Sequence, residues 1–228
     1  MKCSEALKYF APEGPADAEQ LHANVLMGLH AASQPLTLLR AVLWPEGLHQ
    51  LTPSELRETA EASAAAVERT CVLFDLIREL VIAEGIPTSW TQFDLAATLE
   101  EIEARFTPDF DSAGIDFEVS FDSHLLSALG DPALAFRAIA LALKIAKSLP
   151  DPGRRIGLSV LNTDSQHHVV IQTANVTTRV PEAETALSLA LLGTLLRKQK
   201  AVCTYELNPF HLRMRFGQAQ AVGRRTIP

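Results

Sequence analysis

One histidine stands out in this sequence because of the residues that follow it. His30 lies in the stretch GLHAASQPLTLLRAVLW, residues 28–44, four positions before Gln34 and five before Pro35. An exposed imidazole is a nucleophile that can carry a group between two partners when it is oriented and reachable. Proline inside a helix costs about 3 kcal/mol, so a proline in the middle of an apolar helical pattern indicates that something offsets that cost.

The apolar spacing around His30 predicts a long helix. The packing positions recur by three and four residues, at His22, Val25, Leu29, Ala32, Leu36, Leu39 and Leu43. This heptad spacing is typical of a helix that packs along another helix. His30 follows Leu29 by one residue, about 100° round the helix, and is expected to point outward. On spacing alone, a surface histidine without a role is the simpler interpretation.

A second helix is predicted after the break WPEGLHQLTPSEL. Pro45, Gly47 and Pro53 interrupt the pattern there, and Thr52 or Ser54 provides an N-cap. The new pattern again steps by three and four, through Leu56, Ala60, Ser63, Val67, Thr70, Phe74, Ile77 and Val81. Two such helices joined by a short loop make an antiparallel hairpin. We expect two hairpins to pair in a dimeric four-helix bundle, although the same face could instead pack on the C-terminal domain.

After the hairpin the pattern changes to shorter elements. The predicted helices are FDLAATLEEIEARFTPDF, closed by Pro108, DPALAFRAIALALKIAKSL, which begins at Asp131, and a third over 182–199. The predicted strands are IDFEVSFD, RRIGLSVLN, HHVVIQTAN, AVCTYELN and HLRMRFGQ. This order predicts an α/β sandwich in which helices cover one face of a mixed sheet, so the fold class is α+β.

The element pattern also sets the predicted domain boundaries. The hairpin is expected over residues 16–84, the α/β domain over 92–217 and a tail over 218–228.

Composition argues against several classes of function. The formal net charge of −7 is unlike that of a general nucleic-acid-binding surface, and the one compact basic run, RKQK at 197–200, suits the C-terminal end of a helix. Cys3, Cys71 and Cys203 are scattered, as in proteins of a reducing cytoplasm. The longest apolar run, at 186–196, is too short to cross a bilayer, and the N-terminus has no signal-peptide core. We therefore expect a cytoplasmic protein without a membrane or nucleic-acid partner.

No metal site is predicted. His22 and His30 lie two helical turns apart, beyond the span of one ion. His167 and His168 have no cysteine or acidic cluster near them in the sequence.

The stretch around His30 resembles the phosphoacceptor helix of sensor histidine kinases, whose motif reads roughly H-E-x-x-x-P-L. His30, Pro35 and Leu36 match that motif, and Gln34 matches its Gln-Pro-Leu variant. The segments FDLAATLEEIEARF, GIDFEVSFD and GDPALAFRAIALALKIAKSLPDPGRRIGLSV resemble the start of the kinase ATP-binding domain. Segment order and lengths agree from about residue 16 to 217. The resemblance implies a dimeric phosphoacceptor hairpin followed by an ATPase-like domain.

Several positions depart from the kinase pattern. The acidic residue that follows the histidine in the family, and acts as its general base, is Ala31 here, which leaves Gln34 as a candidate partner for the imidazole. The family's second asparagine of the magnesium box aligns with Lys144 in ALALK. The glycine-rich boxes fall on QTANVTTRV and on PEAETALSLALLG, whose lone glycine is Gly193. The resemblance therefore implies that the ATP site is lost and that no cofactor is bound.

A kinase-like chain without a nucleotide site is similar to the dimeric histidine phosphotransferases of bacterial phosphorelays. These pass phosphate between response-regulator aspartates through a histidine, and the receiver domain supplies Mg²⁺. The resemblance implies that His30 is the catalytic residue and that the helix face formed by Met27, Ala31, Gln34 and Leu38 binds receiver domains. The alternatives are a non-catalytic relative that binds or sequesters a response regulator, and an active kinase with unrecognised nucleotide ligands.

Overall fold

A computed structural model of the chain describes residues 8–10, 18–42, 52–121, 126–149, 155–163, 166–173, 183–207 and 209–217. The elements in these ranges are β1 (Lys8–Phe10), α1 (Ala18–Val42), α2 (Pro53–Gly85), β2 (Thr91–Asp94), α3 (Leu95–Ser112), β3 (Asp116–Ser120), β4 (Ser127–Gly130), α4 (Pro132–Ser148), β5 (Arg155–Thr163), β6 (Gln166–Thr173), α5 (Ala183–Lys198), β7 (Val202–Leu207) and β8 (Phe210–Arg215). The combination of helices with a mixed sheet confirms the predicted α+β class.

The chain divides into two compact units. The helical unit comprises Gly14–Ile86 and Pro181–Leu191, so it contains α1, α2 and the first half of α5. The sheet unit comprises Met1–Glu13, Pro87–Val180 and Leu192–Pro228. None of the described helices is both long enough and apolar enough to cross a membrane.

The start of α2 is fixed by local hydrogen bonds. The Thr52 backbone N–H donates to Glu55 Oε2 at 2.7 Å, and the Glu55 backbone N–H donates to Thr52 Oγ1 at 3.4 Å. Pro53 occupies the first helical turn, where its missing N–H costs nothing. This reciprocal capping box confirms Thr52 as the N-cap.

Within the helical unit, α1 and α2 pack closely because Gly28 has no side chain. A Cβ at Gly28 would lie 2.8 Å from Ile77 Cγ1 and 3.0 Å from Leu187 Cδ1. A buried cluster of this unit is formed by Ala32, Leu73, Ile77 and Leu187, which are 0% to 8% exposed. The first half of α5 therefore supplies part of the core that α1 and α2 share.

The apolar positions predicted to form one packing face on each helix divide into two sets. Of the predicted positions, Ala32, Thr70 and Ile77 are buried inside the unit. Five others remain 42% to 51% exposed and are called here the exposed apolar stripe: Leu29, Leu36, Val67, Phe74 and Val81. The sequence pattern was wrong for Leu29 and Leu36 within this chain, because α1 turns Gly28 rather than Leu29 toward α2.

The sheet unit is built on a six-stranded sheet of order β1-β7-β8-β6-β5-β3. Only the β3–β5 pair is parallel among the described strands. The side chains on the inner face of the six-stranded sheet, such as Ile171, Phe210 and Leu212, are completely buried. The helices α3 and α4 bury Leu99, Ile139 and similar residues, so a mixed sheet packed against helices is observed as predicted.

Pro108 does not end α3, which is a correction to the sequence-based boundary. The helix continues to Ser112 and encloses the proline. Phe110, which is fully buried, lies beyond the proline and contacts Phe117 with ring centroids 4.7 Å apart. Burial of this ring offsets the backbone hydrogen bond that Pro108 cannot make.

Three short strands were not predicted. Strand β1 adds to the edge of the sheet beside β7, and β2 pairs with β4 in a separate two-stranded sheet. Strands of three or four residues carry too little alternation to be seen in a sequence. The predicted tail, 218–228, lies outside the described residues.

Candidate functional site

The His30 imidazole is exposed and has one side-chain partner. Gln34, one turn further along α1, places its Nε2 3.2 Å from Nε2 of His30. Because an amide N–H can only donate, this contact fits a neutral imidazole whose proton is on Nδ1 and whose Nε2 lone pair accepts. The contact that the sequence offered as a candidate is therefore present in the structure.

Two hydroxyl groups bond the α1 backbone around Pro35. Ser33 Oγ donates to the His30 carbonyl oxygen at 2.7 Å, and Thr37 Oγ1 donates to the Ser33 carbonyl oxygen at 2.9 Å. Pro35 lacks an N–H and so cannot bond the Ala31 carbonyl, yet the helix runs unbroken to Val42. These hydroxyls donate to carbonyl oxygens in the turns around Pro35, where one backbone hydrogen bond is missing. The hydroxyl residues on either side of the proline are visible in the sequence, but they were not used to predict this bonding.

The α1 helix presents three different sides. At about 100° per residue, Gly28, Ala32 and Pro35 form the inner side that faces α2. Leu29 and Leu36 lie roughly a quarter turn away on one flank. The predicted docking residues occupy the opposite flank, and His30 points almost directly away from the inner side. The His30 imidazole thus lies on the side of α1 opposite to the side that packs on α2.

The predicted docking residues differ in how accessible they are. Met27 is 39% exposed, and Gln34 is also exposed. Ala31 is half-buried and packs against the buried core of the helical unit. For Leu38 the structure describes the backbone, within α1, and not the side chain. Accessible atoms beside His30 therefore come from Met27 and Gln34.

Three other histidines were candidates for a metal site. His22 is exposed on α1, two turns before it. His167 and His168 are on β6 in the sheet unit, where His167 Nδ1 lies 2.7 Å from Asn162 Oδ1. In the part of the chain that the structure describes, no three His, Cys, Asp or Glu side chains come together in a way that could hold a metal ion.

The α4 helix does not carry side chains suited to a magnesium nucleotide. Lys144 is exposed and the adjacent Ile145 is buried. The helix sequence, PALAFRAIALALKIAKS, contains no Asp, Glu, Asn or Gln, which are the oxygen donors that Mg²⁺ requires. The strand β6 ends at Thr173, and the segment 174–182, where the family has its glycine-rich box, lies outside the described residues.

No family model matches the sequence, and no curated protein matches it. Solved structures do match the fold. The histidine kinase AdeS of Acinetobacter baumannii superposes with a TM-score of 0.59 at 16% identity, covering 84% of this chain and 98% of that one.

Two further histidine kinases give similar results. ThkA, solved in complex with the response regulator protein TrrA, has a TM-score of 0.65 at 15% identity, with 88% of this chain and 61% of that chain covered. Full-length ShkA, solved with AMPPNP, has a TM-score of 0.53 at 14% identity, with 89% and 47% covered. The chain therefore has a histidine-kinase-like fold.

Proposed function

We propose that this protein is a phosphorelay histidine phosphotransferase. It passes a phosphoryl group between the aspartates of response-regulator receiver domains through His30, without ATP. The observation that carries the proposal is the exposed His30 imidazole, whose Nε2 lies 3.2 Å from Nε2 of Gln34 on the side of α1 that faces away from the core. The histidine-kinase-like fold, and the solved complex of ThkA with a response regulator, support a role in two-component signalling.

The transfer requires only a nucleophile and orientation. The Nε2 lone pair of His30 attacks the phosphorus of a receiver aspartyl phosphate, a P–N bond forms, and the P–O bond breaks to leave an aspartate carboxylate. The proton on Nδ1 stays in place, and the reverse attack by a second receiver aspartate regenerates the neutral imidazole. Gln34 holds the ring in the resting state and gives up its bond to Nε2 as the phosphorus approaches.

The chain's own residues support transfer rather than ATP-dependent phosphorylation. Ala31 stands where the kinase family has its general base, so no carboxylate adjacent to His30 can take a proton from it. The α4 helix offers no oxygen ligands for a magnesium nucleotide. An aspartyl phosphate already has the free energy needed for transfer, and we expect the Mg²⁺ to be held by the receiver domain.

The exposed apolar stripe supports a homodimer. The two helices are expected to run antiparallel. On each helix the stripe residues lie about a quarter turn from the side that faces the other helix, and in the same rotational sense when each helix is viewed along its own axis. They form one continuous apolar surface on one side of the pair. Burying it against a second copy completes a four-helix bundle, with each Phe74 and Leu29 transferred from water to a core.

The proposed receiver-binding surface is the opposite flank of α1, formed by Met27, Ala31, Gln34 and Leu38. Exposure of Met27 and Gln34 beside His30 supports this placement. The flank lies away from the exposed apolar stripe, so dimerisation and receiver binding use separate sides of one helix.

The test is phosphate transfer from phosphorylated receiver domains of the same genome to the purified full chain. We expect acid-labile, base-stable phosphate on the wild type and none on His30→Ala. His22→Ala is the matched control, because His22 is an exposed histidine on the same helix and should leave transfer unchanged. Equal labelling of wild type and His30→Ala would refute the proposal.

The second candidate is a kinase-like protein that binds a response regulator without accepting phosphate. The loss of the acidic residue at Ala31 favours it, since the histidine then lacks the family's general base. It predicts that the wild type and His30→Ala bind receiver domains equally and that neither becomes phosphorylated. Phosphorylation of the wild type by Mg-ATP alone would instead indicate an active kinase.

A further inference from the structure

The outer face of the six-stranded sheet carries a group of cationic and imidazole side chains. Successive residues of a strand point to opposite faces, and on β8 the inward residues Phe210, Leu212 and Met214 are buried. Arg213 and Arg215 therefore point to the other face, where both are half-buried. In the register between β6 and β8, His168 is directly opposite Arg215.

These three residues, His168, Arg213 and Arg215, are called here the cationic cluster. Arg213 is two residues from Arg215 on one strand and diagonal to His168 on the next, distances that long side chains bridge. Val170 of β6, opposite Arg213 and 2% exposed, lies beside the cluster on the same face of the sheet. The cluster thus combines charge with an apolar base.

The cationic cluster is not neutralised by the described part of the chain. No described carboxylate lies within 4 Å of Arg213 or Arg215, and the Arg215 guanidinium donates to the neutral Gln166 Oε1 at 3.1 Å. Arg213 Nε and His168 Nδ1 are buried and have no hydrogen-bond partner. Buried polar atoms without partners are rare in native proteins. The sequence has 27 Asp and Glu residues that could have provided an acceptor for Arg213 and Arg215.

Another arginine of the same sheet shows what a neutralised site looks like. Arg155, on β5, pairs with Glu118 and lies 3.5 Å from Asp116, both on the neighbouring strand β3. These acids raise the pKa of Arg155, and the main cause is the hydrogen bond that the Arg155 guanidinium donates to Glu118. The only charged residue beside the cluster on β7 is the exposed Glu206, opposite His211 and not paired with either arginine.

We propose that the cationic cluster binds an oxyanion, either a phosphate or a carboxylate group, between Arg213 and Arg215. A guanidinium presents parallel N–H donors that match the oxygens of either group, and binding would supply the missing acceptors. Burial, followed by the charges of Arg213, Arg215 and His167, lowers the pKa of His168. The neutral imidazole then contributes a hydrogen bond from its Nδ1–H and adds no further repulsion to the arginines.

The test is an NMR titration of the isotope-labelled full chain at constant ionic strength, with chloride as the balancing anion. Inorganic phosphate and a hexaglutamate peptide are the two probes, because they represent a free phosphate and protein carboxylates. We expect saturable shifts of the Arg213 and Arg215 Nε–H signals and of the His168 ring with at least one probe. The probe that saturates them identifies the source of the oxyanion, and saturation by either supports the site.

Variants separate specific binding from general attraction to the protein. Arg213→Gln and Arg215→Gln should each weaken binding about tenfold or more, since each removes charge-assisted hydrogen bonds. Arg155→Gln is the matched control, an arginine of the same sheet that already has its acids, and should leave the affinity unchanged. Non-saturating shifts with both probes, or equal weakening by Arg155→Gln, would overturn the proposal.

Discussion

Phe210, Leu212 and Met214 in the sheet unit are completely buried, whereas Phe74 and Val81 in the helical unit are 46% and 51% exposed. Both sets come from regular, strongly apolar patterns, so the difference is not one of composition. The sheet unit places its apolar side chains between strands and helices of the same unit. The helical unit has two long helices and half of a third, which cover only part of each apolar face. The sheet unit thus buries its apolar side chains within this chain, whereas the helical unit leaves part of its apolar surface exposed.

The substitution with the largest expected effect is Phe74→Glu on the exposed apolar stripe, which should weaken the proposed dimer. In a dimer the substitution enters twice, and each copy loses about 1.5–3 kcal/mol of apolar burial and adds a charge to the interface. We expect the dimer dissociation constant, measured by sedimentation equilibrium, to rise roughly a thousandfold.

Val72→Glu provides the matched control for that measurement. Val72 is 36% exposed on α2, but it lies well away from the stripe, so this substitution should leave the dimer intact. A wild type that is monomeric at all concentrations would contradict the dimer and leave the exposed residues without an explanation.

A disruption of the sheet unit should act on stability instead. Gly130 has φ 153°, and a Cβ there would lie 2.1 Å from Gln199 Oε1. Gln199 is 1% exposed and bonds both backbone atoms of Asp131, accepting from N at 2.9 Å and donating to O at 2.6 Å. Gly130→Ala should displace this amide and lower the free energy of unfolding by about 2–4 kcal/mol, measured in urea.

The cause of that loss can be isolated with a double-mutant cycle. In a Gln199→Ala background the Gly130→Ala substitution no longer meets the amide, so its cost should fall by about 1 kcal/mol or more. Identical costs in the two backgrounds would show that backbone strain alone is responsible.

The smallest expected effect concerns pH. Asp131 caps α4 through Ala133 and Leu134 and accepts hydrogen bonds from the Ser89 N–H and hydroxyl. Burial raises the pKa of this carboxyl, but the bonds from Ser89 and from the helix outweigh it, and the net pKa is below 3.8.

Because the folded-state pKa is the lower one, the stabilisation is present above pH 3.8 and is lost as the pH falls through the folded-state value. Between pH 7 and pH 3 the free energy of unfolding of Asp131→Asn should therefore fall less than that of the wild type, by a few tenths of a kcal/mol because solvent screens this carboxyl. Urea unfolding at the two pH values measures the difference. A parallel decline in both proteins would contradict this assignment.

The features that were predictable from the sequence are local ones. Helix α1 follows from the spacing of its apolar residues by three and four positions. The N-cap Thr52 follows from its bonds with Glu55, three residues further along the chain. The exposure of His30 and its contact with Gln34 are also local, because both depend on one turn of one helix. Such features do not depend on how distant segments meet.

The features that were not predictable join distant parts of the chain. The Gln199–Asp131 pair spans 68 residues, and β2 pairs with β4, from Asp94 with Ser127 to Thr91 with Gly130, more than 30 positions away. Ala31 was expected on an open face, but it packs against the buried cluster to which α5 contributes Leu187, which no pattern within α1 can indicate. Pairwise packing of this kind is set by the whole fold rather than by local periodicity.

Gly28 has a consequence for where His30 sits. The space beside Gly28 is too small for a single added carbon, because Ile77 and Leu187 close it from two sides. If α1 moved along α2 by one residue with the matching rotation of about 100°, Met27 or Leu29 would have to enter that space. The absence of a side chain at Gly28 therefore fixes the position of α1 along the axis of α2. It also fixes the axial position of the His30 imidazole, which lies two residues further along α1.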